Sequence, residues 1–211
     1  MKTKKILFVL GLCMGVLFLA GCSTARANNT QFQMGFSALF IDSTAVVDYG
    51  AMLASEMPEL TIDGTAPRFT PIIAGVIEND WESGILHDPM MGIGGIMKTT
   101  LLVAGGDLDV MVATLDNAAR DARNGMFLPL DQVFTAEEMA AFGERLLQFE
   151  HVETDGIYTW ATGEMTAIYG INITGNEDMQ KIFGGQEIGV FIIANTSHLD
   201  LAREVMLHLA E

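Results

Sequence analysis

Residues 105–131, GGDLDVMVATLDNAARDARNGMFLPLD, restrict this chain more than any other stretch. The glycine pair Gly105-Gly106 can end a helix, and after it Leu108, Val110 and Val112 alternate with Met111 and Ala113. The first three are expected on one face of a strand and the other two on the opposite face. A run apolar on both faces suits a strand buried between two layers. Asp116 or Asn117 then predicts the cap of a short Ala-rich helix over residues 118–123, which stops at Asn124-Gly125, where a left-handed residue is needed. Helix, buried strand, polar cap and helix in that order make half of a βαβ crossover. The expected fold is therefore α/β, a three-layer sandwich with a mostly parallel central sheet.

The flanks extend the pattern. Residues 32–40 (FQMGFSALF) predict a first strand, and Asp42, Ser43 or Thr44 predicts the cap of a helix running through Met57, with Val46, Leu53 and Met57 on one face and Tyr49 beside it. Pro58 stops that helix, and residues 60–62 are expected to begin a second strand. From Gly92 onward, Ile93, Ile96, Met97, Thr100 and Leu101 are spaced to face a core. Thr135 and Glu138 form a capping box, after which Met139, Phe142, Leu146 and Phe149 read as one buried helical stripe. Asp155-Gly156 signals a hairpin between residues 151–154 and 157–162. Residues 168–173 and 188–194 read as strands, Asn176 caps a short helix between them, and Ser197 with Asp200 caps the last helix.

The N-terminus reads as a targeting signal. Lys2, Lys4 and Lys5 precede an apolar run over residues 6–20, too short and wrongly flanked for a lasting transmembrane helix. The run ends in Leu19-Ala20-Gly21-Cys22-Ser23, which resembles a lipobox, the motif of bacterial lipoproteins. The expectation is a signal peptide over residues 1–21, a diacylglyceryl group on the Cys22 thiol with further acyl chains such as palmitate, and a flexible small-residue tether over 22–31. A single domain is then expected over 32–211. An ordinary cleaved signal with an incidental cysteine is the alternative. The other cysteine, Cys13, lies inside the signal, so no disulfide is expected in the mature chain.

Removal of the signal leaves all 27 acidic residues and takes three of the 11 basic ones, a formal charge of −19 against −16 for the whole chain. Such a surface repels nucleic acid and anionic headgroups. It suits cationic ligands, and it equally suits solubility beside a membrane.

Three ordered stretches resemble the extracellular solute-binding proteins of bacterial ABC importers. The first is Gly106-Asp107-Leu108-Asp109-Val110, then Asn124-Gly125, then Leu128-Pro129-Leu130-Asp131. The second is Asp155, Gly156 and Tyr158, like the "DGxxY" that precedes the crossing into a second lobe. The third is the C-terminal unit carrying Asn195, Ser197, Leu201, Ala202, Val205, Met206 and Leu209. The resemblance implies one lobe of a type II periplasmic binding protein. The middle that supplies the second lobe is missing, which puts capture by cleft closure in doubt.

In an open α/β sheet, ligands collect at the carboxyl ends of strands. Polar groups are expected at four such ends: Asp42, Ser43 and Thr44; Thr114, Asp116 and Asn117; Thr174 and Asn176; Asn195, Thr196 and Ser197. Side by side they would make a hydroxyl- and amide-rich rim for a small polar solute, and taken singly each group simply caps its own helix. Trp160, with Trp81 and Tyr158, could stack on a sugar face or belong to the core.

Met90, Met91 and Met97 beside His87 allow a copper reading, but methionines spread through apolar positions suit core filling, and no metal or other cofactor is expected. The acidic run Glu78, Asp80 and Glu82 lacks a calcium-loop spacing and reads as a solvated loop. Asp107 and Asp109 lie on one side of the key strand with no partner base in the sequence pattern. His208, at a helix C-terminus, has a sufficient structural role there. Nucleophile-elbow, zinc-helix and phosphate-loop signatures do not occur, so an enzyme is not expected. Two functions remain: a lipid-anchored receptor or accessory part for an ABC permease, binding a small polar solute such as a carbohydrate, or an envelope lipoprotein that keeps the fold and docks on a protein. A pocket at the strand ends favours the first, and an exposed apolar patch there or on residues 64–92 favours the second.

Overall fold

The computed structural model describes residues 30–75, 89–154 and 159–211. The signal, Cys22, His87, the acidic run at residues 78–82, Trp81 and the Asp155, Gly156 and Tyr158 motif lie outside those residues. Eight strands are described: β1 (Gln33–Ala38), β2 (Arg68–Ile73), β3 (Val110–Thr114), β4 (Leu146–Leu147), β5 (Glu150–Thr154), β6 (Thr159–Met165), β7 (Gly170–Asn172) and β8 (Ile188–Ile192). The helices are α1 (Ser43–Glu56), α2 (Pro89–Gly105), α3 (Leu115–Arg123), α4 (Ala136–Phe142), α5 (Glu177–Phe183) and α6 (Leu199–Ala210). Among the described residues no helix is long and apolar enough to cross a membrane.

Six strands form one sheet in the order β2-β1-β3-β8-β7-β4, and helices cover both of its faces. On one face α1, α5 and α6 bury Val46, Leu53, Met179, Val205 and Met206 against Met34, Phe36, Val110, Val112 and Val190. On the other, α2 and α3 place Ile96, Leu102, Ala118 and Ala122 over Met111, Ala113 and Phe191. The alternation in β3 therefore divides between two cores, as a strand between two layers requires.

The sheet is mixed rather than mostly parallel. β1 pairs in parallel with β2 and β3, but β8 runs antiparallel to β3 and β7, and β4 antiparallel to β7. β7 and β8 are sheet neighbours joined through α5, and the chain reverses direction between them.

Several local expectations hold. Asp42 caps α1, its Oδ1 accepting from the Thr44 and Ala45 amides at 2.8 and 3.1 Å. Thr135 and Glu138 make the reciprocal capping box of α4. Asn176 Oδ1 accepts from the Met179 amide at 3.1 Å to cap α5, and Gly106 and Gly125 adopt φ of 72° and 69° beyond α2 and α3. β5 and β6 pair as an antiparallel hairpin, separate from the main sheet.

Others are corrected. Residues 60–62 do not begin a strand; Pro58–Leu60 is a 3-10 turn and Ile62 only bridges Thr65. The second strand is β2, which accommodates Pro71 because it is an edge strand. Leu108 lies in the second core with Met111, not with Val110 and Val112. It occupies the space over Gly35, whose absent Cβ would stand 3.2 Å from Leu108 Cδ2.

α4 stops at Phe142, so Leu146 belongs to β4 and Phe149 packs in the other core. Gly143, at φ 55° and ψ −125°, turns the chain out of the helix there. Asp116 and Asn117 lie inside the first turn of α3, whose N-cap is Thr114, and the N-cap of α6 is His198 rather than Ser197; neither N-cap residue makes a side-chain capping bond.

α2 turns a different face to the sheet than its spacing predicts. Ile93, Met97 and Leu101 are 50%, 61% and 69% exposed, while Gly95 and Thr99 are buried. A Cβ on Gly95 would collide with the Ile73 carbonyl oxygen. The glycine lets the helix backbone lie directly on β2, and that contact selects the Gly95, Thr99 and Leu102 side.

Candidate functional site

Strand order reverses at β1: α1 leads outward to β2, and α2 returns the chain past β1 to β3. A crevice opens outside the carboxyl ends of parallel strands where their connections diverge in this way. The loops there form a pocket of about 340 Å³, at the small end of the range for ligand sites, roughly 300–1,000 Å³. Leu39 and Phe40 follow β1, Ala74 and Gly75 follow β2, Thr114 ends β3 and residues 115–117 follow it, and Gln186 and Glu187 precede β8.

The pocket floor is tied together. Asn117 is buried at the start of α3, and its Nδ2 donates to the Ala74 carbonyl at 2.8 Å and to Ser37 Oγ at 3.2 Å. Its Oδ1 accepts from Arg120 Nη1 at 3.1 Å, and Arg120 Nε donates to the buried carboxylate of Asp121 at 2.8 Å. Burial raises the Asp121 pKa, and the neighbouring Arg120 charge opposes the rise. One side chain thus joins β1, β2 and α3. On the far wall, Gln186 Nε2 donates to the Phe40 carbonyl at 3.0 Å, and the Leu115 amide donates to the Glu187 carbonyl at 3.1 Å.

The mouth is different. The side chains of Thr114, Asp116 and Glu187 enter no hydrogen bond or ion pair among the described residues, and Asp116 and Glu187 are exposed. Phe40 is 62% exposed beside them. Among the described lining residues none is basic.

Of the residues expected at the rim, Thr114, Asp116 and Asn117 line this pocket. Asp42 and Ser43 follow β1 at the same edge, but the Asp42 side chain is engaged in capping α1. Asn176 also stands at this edge, after β7, and is taken up by its α5 cap and by donation to the Leu209 carbonyl at 3.3 Å. Asn195, Thr196 and Ser197 are at the opposite edge, because β8 is antiparallel; Asn195 Nδ2 donates to the Val103 carbonyl at 2.7 Å. Trp160 belongs to the separate β5-β6 hairpin, and its side chain lies outside the described residues. Met97 is exposed and so does not fill a core.

Leu39, Phe40, Gly75, Gln186 and Glu187 carry no sequence motif. The first two could have been flagged by their place after β1; Glu187 becomes a site residue only once β8 is known to run the other way.

Asp109 has the partner that its sequence pattern did not show. It is fully buried at the amino edge of the sheet, where Oδ2 accepts from the Gln33 amide at 2.8 Å. Oδ1 accepts from Thr196 Oγ1 at 2.6 Å and is paired with His198 Nδ1 at 3.1 Å. Thr196 Oγ1 also accepts from the His198 amide at 3.1 Å, so the hydroxyl is engaged on both sides. The cluster clamps the start of α6 to β1 and β3. Among the described residues no group of three or more His, Cys, Asp or Glu side chains is placed to hold a metal ion.

No family model, curated protein or solved structure matches the chain.

Proposed function

We propose that this chain is a lipid-anchored, extracytoplasmic binding protein of the solute-receptor type, with one lobe, tethered through Cys22 and serving an ABC permease as receptor or accessory part. Its cargo is a small polar solute, and its action is binding rather than catalysis. The observation that carries the reading is the pocket at the carboxyl ends of β1, β2 and β3, with unengaged polar side chains at its mouth and a hydrogen-bonded floor. The lipobox-like Leu19-Ala20-Gly21-Cys22 and the three stretches resembling solute-binding proteins support it.

A thermal-shift screen of the chain in detergent micelles against sugars, amino acids, polyamines and metal ions tests it. Ligand at one hundred times its Kd adds about 2.7 kcal/mol to folding stability. For a domain of this size that raises Tm on the order of 5–10 °C. A saturable shift from one chemical class supports a receptor; a flat response from a folded protein rejects it for the classes screened.

The exposed stripe of Ile93, Met97 and Leu101 favours a second reading, in which the fold docks on an envelope protein and binds no solute. Photo-cross-linking from position 97 in intact membranes tests that reading. One discrete adduct there, with no thermal shift from any solute, would replace the first reading by the second.

A further inference from the structure

We propose that the pocket at the carboxyl ends of β1, β2 and β3 takes an organic monocation, a protonated amine carried on a small apolar body. The inference rests on the solute-receptor reading and narrows its cargo.

The apolar part of the lining comes from Leu39, Phe40, Ala74 and Leu115, and the polar part is nearly as large. The mouth carries two carboxylates, Asp116 and Glu187, with no hydrogen-bond or ion-pair partner among the described residues. They originate at neighbouring points. Thr114 pairs with Ile188 across the β3-β8 ladder, and the Leu115 amide holds the Glu187 carbonyl at 3.1 Å, so the two side chains flank one opening. Thr114 is unengaged among the described residues but uncharged, and the two remaining polar side chains around the cavity differ. Asn117 is held by Ser37, Ala74 and Arg120, and Gln186 by the Phe40 carbonyl, so they shape the pocket and leave the charge at its mouth to the acids.

Three ligand classes can be weighed against this lining. An anion would gain from the amino end of α3, but Asp116 already stands in that first turn and Glu187 faces it, so two negative charges oppose a third. A neutral polyol would bring no charge to match the two carboxylates, and part of it would lie against Leu39, Phe40, Ala74 and Leu115. A protonated amine meets both requirements, because its charge lies between the carboxylates while its carbon body covers Leu39 and Leu115. A net charge of −16 over the whole chain also steers cations toward the molecule and weakens with added salt.

The test is equilibrium dialysis of the full chain in uncharged detergent micelles, with benzylamine, benzyl alcohol, benzoate and maltose as probes. Benzylamine should bind saturably. Benzyl alcohol, the same body without charge, should bind roughly tenfold more weakly, and benzoate should not bind. Asp116→Asn and Glu187→Gln should each weaken benzylamine several-fold and the double variant more, with benzyl alcohol unchanged and with wild-type circular dichroism. Equal binding of benzylamine and benzyl alcohol, or no effect of the double variant, overturns the proposal. Maltose binding without benzylamine binding overturns the amine while leaving the receptor standing. If none of the four probes and none of the screened solutes binds, the receptor reading falls and takes the amine with it.

Discussion

The two edges of the central sheet hold carboxylates in opposite states. At the amino edge, Asp109 is fully buried, accepts from Gln33 and Thr196 and is paired with His198. At the carboxyl edge, Asp116 and Glu187 stand exposed at a pocket mouth with no partner among the described residues. A carboxylate closed in by donors is committed to the fold, since removing it strands those donors. One left open at a cavity adds little to folding and is free to meet a ligand. The same residue types thus hold the structure at one edge and address solvent at the other, and substitution should separate the two roles.

The largest expected effect is at the amino edge. Asp109→Ala leaves the Gln33 amide and the Thr196 hydroxyl without their acceptor and His198 Nδ1 without its partner, and should cost about 3 kcal/mol in urea unfolding. A loss below about 1 kcal/mol would break the comparison, because that edge would then be no more committed than the other. Asn117→Ala is intermediate. It should cost about 1–2 kcal/mol by freeing the buried Ala74 carbonyl, and should also weaken any ligand of the pocket, since it loosens the floor. Thr135→Ala, in neither cluster, removes one side of a capping box and should cost about 1 kcal/mol, a scale for the other two.

The smallest stability effects belong to the mouth. Asp116→Asn and Glu187→Gln should each change unfolding free energy by no more than about 0.5 kcal/mol. A larger loss would show that one of them is structural after all. Asp121, behind the floor, sharpens the contrast through pH. Because burial raises its pKa above the ordinary 3.8, the folded state holds its proton more tightly than the unfolded chain does. Its favourable contribution is full below the unfolded value and is lost as pH rises through the folded one. Urea midpoints of wild type and Asp121→Asn followed across that rise should diverge in favour of the asparagine variant. A constant difference would show that Asp121 titrates no differently in the folded state.

Much of the local structure was legible in the residues. Asp42, Thr135 and Asn176 cap the helices that their side chains predict, and Gly106 and Gly125 take the left-handed turns that end α2 and α3. Part of the site was legible too: Thr114 ends a strand apolar on both faces, Asp116 and Asn117 come just after it, and such a strand ends where a ligand can reach. The misreadings share a cause. The stripe through Met139, Phe142, Leu146 and Phe149 keeps helical spacing across Gly143, yet the chain leaves the helix there and sends Phe149 to the opposite core. Spacing records which residues are apolar, not which apolar surface each one meets.

Composition and spacing were enough for the α/β class, the buried β3 and the helix caps, because hydrophobic period and capping are interactions among near neighbours in the chain. Tertiary structure decided the direction of β8, and with it the separation of Asn195 from the pocket and the arrival of Glu187 at its mouth. It also decided which side of α2 meets the sheet, through the contact of Gly95 with Ile73. Both outcomes depend on contacts between segments distant in sequence, and at Gly95 the small side-chain volume is what permits the close approach.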